Sequence, residues 1–520
     1  MVKLPSGISI SIVLRRRFST VPPADYAGNR KNLIPIPHRS IPEARGQDLD
    51  FVNVAHSHII HSDWGKLELS PPAHFTPFRI THVLLKIQRD HVLSLEFFNW
   101  VKTHSPDSLT VETHSIILHI LTKNRKFKSA ESILKDGLVI RSSAHSADKL
   151  FDVLLHSYRV CDSSPRVFDS LFSVYARSKK FRFATDLFLR MKDYGFFPTV
   201  KSCNAYLSAL LGSNRPDIAL GFYGEMRRCR ITPNVYTLNM VMAAFCKGGK
   251  IEKAVEIFSD LENGRLVAPN IASYNVLIAG YCRKGLLSSA MKLRTSMGKN
   301  GMEPNVVTFN TLINGFAKEG KLQEASRVFS EMKLSNVVPN IVTFNTLING
   351  FSQLGNSEMN DMLYQEMVRA GIKPDILTYN AMISGLCREG KTKKAAYLVK
   401  ELDKERLVPN SSTFSALITG QCARDNPDRA FQLYRSMVRS GCHPNQQTFD
   451  TLIAGFCKIK DFDGAGKVLL EMFDRCLTPT LDIVMDIYNG LQQCGMDRLA
   501  MKLWNEMEAR KCRDKIERVT

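Results

Sequence analysis

The sequence lacks the spacings that metal and redox sites need. Among its 12 cysteines no two stand as C-x-x-C, which excludes a zinc ribbon, a zinc knuckle and a thiol redox pair. No H-x-E occurs either, so the ligand and general-base pattern of a zinc deaminase is absent. There is no P-loop and no G-x-G-x-x-G to cradle a nucleotide phosphate. No uninterrupted apolar run reaches the ~18 residues that span a bilayer. Of 13 histidines only His443 lies beyond residue 156, so the larger part of the chain has almost no ordinary general base. His56, His58 and His61 cluster with no cysteine nearby and read as incidental. Together these absences argue against an enzyme, a bound metal or cofactor, and a membrane protein.

What is present is ordinary globular material with a charge bias. The hydrophobic fraction is 44% and the charged fraction 23%, both typical of a folded chain. Lys and Arg number 70 against 50 Asp and Glu, a net charge of +20. An excess of that size points to a polyanionic partner, with a merely soluble basic protein as the bland alternative.

The amino terminus has its own signature. The first acidic residue is Asp25, and before it stand Lys3, Arg15, Arg16 and Arg17 among several serines. Arg-rich, Ser-rich and acid-free is the composition of an organellar transit peptide. The run RRRFST resembles a mitochondrial processing site, with cleavage expected after Phe18, so residues 1–18 read as the leader. Residues 19–75 are proline-rich without clear periodicity and read as mostly flexible linker.

An internal period then decides the architecture. NVVTFNTLINGFAKEGK (305–321) and NIVTFNTLINGFSQLGN (340–356) are near copies 35 residues apart. With Val306 as position 1 of a unit, nine units follow without a gap: 165–199, 200–234, 235–270, 271–305, 306–340, 341–375, 376–410, 411–445 and 446–480. Each reads as two helices, over positions 2–13 and 17–29. Phe309, Leu312, Ile313 and Phe316 fall within about 100° of arc on the first helix, one buried stripe. Gly320 breaks it, and Gly249, Gly285, Gly355 and Gly390 repeat the break. Position 20 is often Ala and position 27 Met or Leu, a close crossing and a gap filler. A proline at position 34 ends every unit, from Pro198 to Pro479. One such hairpin cannot bury its stripe alone, so neighbours must stack. The expected fold is all-α, a right-handed α-solenoid superhelix of tandem two-helix repeats. Residues 76–164 read as degenerate repeats capping the amino-terminal end, and 481–520 as a degenerate capping repeat and tail.

The face opposite the stripe carries the candidate chemistry. Position 5 is Asp169, Asn204, Asn239, Asn275, Asn310, Asn345, Asn380, Ser415 and Asp450. Asn is a poor residue in mid-helix, so its recurrence needs a reason. Its amide offers donor and acceptor to the edge of a base. Position 9 is small, leaving room beside it. Position 13 is basic in six units, Arg177, Lys247, Arg283, Lys318, Arg388 and Lys458. A ladder of cations beside a ladder of amides suits the phosphates and bases of a single strand. The last position is again polar: Thr199, Asn234, Asn270, Asn305, Asn340, Asp375, Asn410, Asn445 and Thr480. Here a plain helix cap is the competing explanation. Five cysteines recur at position 12 and read as packing residues.

The unit pattern V-T-Y-N-T-L-I…G…A…M…G-x-x-P-N/D resembles the pentatricopeptide repeat family, in its plain 35-residue, pure-repeat (P) class. That resemblance implies a monomeric, sequence-specific single-stranded RNA-binding protein of a plant organelle, reading one base per repeat. It would act in stabilisation, processing, splicing or translation of a transcript, with other RNA-processing factors as further partners. The mitochondrial matrix is the expected compartment and the chloroplast the runner-up. In the family the position 5 and last residues select the base and position 2 sandwiches it. Tyr236, Val307, Val342 and Leu377 match that sandwiching role; Ala272, Ser412 and Gln447 should clamp less well. By the family's correspondence Asn with Asn implies a pyrimidine, Asn345 with Asp375 implies U, and Ser415 with Asn445 implies A. The two Asp/Thr pairs have no assigned base. The implied target is 5′-N-Y-Y-Y-Y-U-Y-A-N-3′. A protein-binding helical-repeat scaffold is the alternative function. The charge agrees with the first reading: the nine units hold 42 basic and 28 acidic residues, most of the excess.

Overall fold

The computed structural model describes residues 33–37, 41–68, 74–139, 144–264 and 267–517. The proposed leader and its cleavage point lie outside them. All regular structure among the described residues is helical. The chain forms two compact bodies, Met1–Gly280 and Tyr281–Thr520, the boundary falling inside the helix Ile271–Arg283.

Within each body the expected hairpins are present. First helices run over positions 1–13, as in Val306–Lys318, Ile341–Gln353 and Ile376–Arg388. Second helices cover positions 17–29, as in Leu322–Leu334 and Ser357–Arg369. The turn between them has a fixed cause. Position 15 takes the left-handed conformation in every repeat, by Gly249, Gly285, Gly320, Gly355 and Gly390 where glycine stands and by Lys179, Asn214, Asp425 and Lys460 where it does not. The Lys321 N–H then returns to the Phe316 carbonyl at 2.9 Å, the 6→1 bond that closes a Schellman ending.

Packing follows the stripe. Within a body, first helices lie against their own second helix and against the first helix of the next repeat, as Ile376–Arg388 does against Thr392–Lys404 and Ser411–Ala423. Ala254, Ala290, Ala325, Ala395, Ala430 and Ala465 are wholly buried, as are Met226, Met297, Met332, Met367, Met437 and Met472. Burying one such methionine contributes roughly 1.5–3 kcal/mol, so the stack is a sum of similar small cores, an α-solenoid in each body. From Gly280 to Gly455 a glycine stands at position 10 where a Cβ would collide with the preceding repeat. A Cβ on Gly420 would lie 2.6 Å from the Cys387 Cβ and 3.2 Å from its Cα. That contact also explains the cysteine at position 12. Burial pushes the Cys387 and Cys422 thiols up to about 11, which leaves them as protonated packing groups.

The ends differ from expectation in one respect. Residues 47–68, read from the sequence as linker, form the helices Gln47–Ile60 and Trp64–Glu68. Val52, Ala55 and Ile59 make a buried stripe at helical spacing, packed on Pro77–Lys86. The many prolines elsewhere in 19–75 masked that stripe. Residues 33–37 and 41–45 have no regular structure: the Ile34 N–H donates to the Asp193 carbonyl at 3.0 Å, and Ile36 and Ile41 pack against the amino-terminal core. The degenerate units appear as Pro77–Lys86 with His91–His104 and Val111–Lys123 with Phe127–Ile133, followed by a π-helical turn and Ala144–Ser157. Leu481–Gln493 and Asp497–Glu517 form the final pair. No helix among the described residues is long and apolar enough to cross a membrane.

Candidate nucleic-acid interface

In the carboxy-terminal body a groove of about 990 Å³ runs across five repeats. It is lined by position 2 (Val342, Leu377), position 5 (Asn345, Asn380, Ser415), position 9 (Asn314, Asn349, Ser384, Thr419), position 13 (Lys318, Arg388) and the last position (Asp375, Asn445). The face expected to bind is therefore a real concavity there. Position 6, which the sequence reading passed over, lines it too, through Thr346, Ala381, Ala416 and Thr451.

The amide ladder is held by a bond pattern that repeats. The hydroxyl at position 3 of the following repeat donates to the position 5 amide oxygen: Thr237 to Asn204 and Ser273 to Asn239 at 2.7 Å, and Thr343 to Asn310, Thr378 to Asn345 and Thr413 to Asn380 at 2.6 Å. The position 5 Nδ2 donates to Oδ1 of the last residue: Asn204 to Asn234 and Asn239 to Asn270 at 3.2 Å, Asn310 to Asn340 and Asn380 to Asn410 at 3.1 Å, and Asn345 to Asp375 at 3.0 Å. That same Oδ1 caps the next helix, accepting for example the Thr343 N–H at 3.1 Å. Capping and ladder are thus one device, and the last position acts as the helix cap that was the competing explanation. Position 3, overlooked in the sequence reading, is its keystone, and its near-uniform Thr or Ser was the available signal. Asn275 lies in the first body and Asn305 in the second; Asn305 caps through Thr308.

This pattern settles the amide orientations by exclusion. A backbone N–H must meet an oxygen, so the cap atom of the last residue is Oδ1. The group facing it from position 5 must then be Nδ2. At Asn340 and Asn410 the remaining group is consequently an NH2 donor. At Asp375 it is Oδ2, an acceptor. Burial acts to raise the Asp375 pKa, but the Thr378 N–H, the Asn345 and Thr378 side chains and the Leu377 N–H outweigh it. Its carboxyl therefore sits below the ordinary range and stays ionised at neutral pH.

The remaining sites vary. Ser415 pairs with the Thr448 hydroxyl at 3.2 Å, and Asn445 caps through Thr448. Asp169 receives the Thr199 N–H at 2.8 Å and its hydroxyl at 3.1 Å. Asp450 and Thr480 make no such contacts; the Asp450 Oδ1 is buried without a partner and Thr480 caps nothing. At position 2, Tyr236, Val307, Val342 and Leu377 are 57%, 57%, 54% and 60% exposed, apolar groups standing in solvent on a polar face. The position 13 cations are all exposed but not all available. Arg177 is paired with Glu131 at 2.7 Å and Lys458 with Asp425 at 2.7 Å. Lys247 donates to the Leu211 carbonyl at 2.8 Å and Arg388 to that of Gln353 at 3.1 Å. Arg283 and Lys318 show no ion pair among the described residues.

Two sequence models of these repeats match the chain. The one described as PPR repeat family covers 198–247, 269–318, 304–353, 339–388, 374–423 and 409–458. The one described as PPR repeat covers 166–196, 236–265 and 447–477. Together they cover more than half of the chain. The protein belongs to the pentatricopeptide repeat family. A pentatricopeptide repeat-containing protein of Arabidopsis thaliana, named as mitochondrial, is 60% identical over 240 residues, 44% of this chain and 46% of that protein. Another from the same plant is 34% identical over 181 residues, 35% of this chain and 24% of its own length. The chain spans less than half the length of these relatives. The crystal structure of the maize pentatricopeptide repeat protein PPR10 shares the fold at 19% identity and a TM-score of 0.50, over 86% of this chain and 65% of that one.

Proposed function

We propose that this pentatricopeptide repeat protein binds single-stranded RNA in a sequence-specific way, one base per repeat, and that it acts as a binder rather than a catalyst. The observation that supports this best is the polarity of the outward group. Where the last residue is Asn, the repeat presents amide donors, which suit the O2 and N3 acceptors of cytosine. Where it is Asp375, the repeat presents an acceptor, which suits the N3–H of uracil. At Ser415 the short side chain leaves room for a purine, with the Asn445 amide available to adenine N1. Exposed Tyr236, Val307, Val342 and Leu377 supply apolar surfaces on which bases lie. Lys318 and Arg283 stand ready for phosphates, with Lys247, Arg388, Arg177 and Lys458 joining once their present partners are exchanged.

The target in this reading is 5′-N-Y-Y-Y-Y-U-Y-A-N-3′. The acid-free, Arg-rich leader and the name of the 60%-identical relative support action on a mitochondrial transcript. There the protein would protect, remodel or mark RNA for processing, splicing or translation factors. A gel shift with that nine-base RNA and its purine-swapped counterpart tests the reading. Retention of the first at least about tenfold better is expected; equal retention overturns it.

A further inference from the structure

The unit ahead of repeat one has the same face as the repeats, but the chain itself lies on it. Thr110 caps the helix Val111–Lys123 through Thr113, as Thr199 caps repeat two through Ser202. Val111 is therefore position 1, and Ser115, His119 and Lys123 fall at positions 5, 9 and 13. In the carboxy-terminal body those positions line the groove. Here each is taken by the stretch that runs from the helix Ala144–Ser157 to Ser163. The Ser115 and Ser157 hydroxyls are 3.0 Å apart. His119 Nε2 lies 3.0 Å from the Leu154 carbonyl and 3.0 Å from the Ser157 hydroxyl, and its Nδ1 is 2.6 Å from the Ser163 hydroxyl. Lys123 is paired with Asp162 at 2.9 Å. Ser115 and His119 are buried, whereas Asn314, the counterpart of His119 in repeat five, is exposed.

The cover extends to both sides. One unit earlier, Ile41 and Pro42 stand with Phe78 and Thr81, positions 2 and 5 there, around a cavity of about 360 Å³. The Pro42 carbonyl lies 2.9 Å from His82 Nε2. In repeat one Ser173, at position 9, is buried, and Arg177 is paired with Glu131. Position 9 opens to solvent at repeat two, with Ser208. An RNA strand entering the covered unit would have to break the His119 and Ser115 bonds and expose Phe151 and Leu154, both buried. Satisfied buried polar groups and buried apolar surface each oppose that opening.

We propose that Ala144–Ser157 is a fixed plug in the RNA face. It closes the path on the 5′ side, so no nucleotide upstream of base one is held and the register of the site is set from that end. This rests on the RNA-binding reading above, with base one on repeat one.

Hydroxyl-radical footprinting of the whole protein on RNA that extends the nine-base site in both directions tests it. Protection is expected to stop at base one. Ser115→Cys with Ser157→Cys places two thiols where the hydroxyls now meet, and oxidation staples the plug shut. The oxidised protein should bind as tightly as the reduced one, with the same 5′ boundary. Leu154→Lys puts an ammonium into the buried contact and should expel the plug, moving the boundary about one nucleotide upstream, the share of one unit. Protection upstream of base one in the parent overturns the proposal. So does loss of binding on oxidation, which would make the plug a gate that must leave. Should Leu154→Lys fail to fold, the parent and the stapled pair still decide. Absence of any protection, with no preference at bases six and eight, overturns the RNA reading instead.

Discussion

The helices between Gln47 and Ser157 and the regular repeats after them reach the same hairpin by different means. The earlier helices fill their interior with irregular, individual contacts. Phe75 meets Phe51 edge-on and Trp100 at a tilt, with centroids 5.3 and 5.2 Å apart. His119 is buried against the Ser157 and Ser163 hydroxyls and the Leu154 carbonyl. Among the described residues there, no position repeats an Asn/Thr ladder. The regular repeats use the same small set of residues at the same places each time. Stacking alone does not demand such uniformity, since the earlier helices stack without it. In the proposed function the uniformity answers to a ligand with its own period, which meets the same groups at every step.

That contrast can be broken most strongly by acid. Burial holds the His119 imidazole down to about 4, against the opposing Leu154 carbonyl bond. The unfolded chain binds that proton near 6.5, so the stability His119 contributes is complete above 6.5. It drains as pH falls toward 4, by up to about 3 kcal/mol. Hydrogen exchange should show 111–163 opening in this window while the repeats around Asn345 stay closed. Uniform loss across both regions contradicts the contrast.

A second test lies in the glycines. Gly420→Ala forces a Cβ against Cys387 and should cost about 2 kcal/mol in denaturant unfolding. Gly298→Ala meets nothing within 4 Å and should be neutral or stabilising by up to about 1 kcal/mol. Equal effects would mean that position 10 is not what spaces the first helices.

A smaller change separates the ladder from the scaffold. Thr378→Val removes the donor to Asn345 and the acceptor for the Asp375 N–H. It should cost about 1–2 kcal/mol of stability and blunt discrimination at base six, leaving base eight unaffected. Unchanged discrimination would show that the hydroxyl does not orient the amide.

Much of this was legible in the sequence for a physical reason. A repeated apolar stripe, a left-handed glycine at Gly320 and a terminal proline each act locally, so hairpin bounds such as Leu322–Leu334 emerge from spacing alone. The candidate face was legible too, because Asn310 and Asn345 are out of place in mid-helix. What escaped were features that exist only between segments. The helix Gln47–Ile60 is fixed by its packing on Pro77–Lys86. The Thr343 hydroxyl matters only because Asn310 lies 2.6 Å away in the preceding repeat. The neutralised cations Arg177 and Lys458 depend on acids of other repeats and could not be told from Lys318 by composition.

The central claim is that the outward atom of the last residue decides the base. Asp375→Asn tests it most directly, since Asn340 already caps the preceding repeat's neighbour in the same manner and the fold should be untouched. Affinities of the parent and the variant for RNAs carrying U or C at base six are the measurement. The parent should prefer U and the variant C, an inversion of about tenfold in each direction. A variant that still prefers U, or a parent indifferent to base six, would contradict the account.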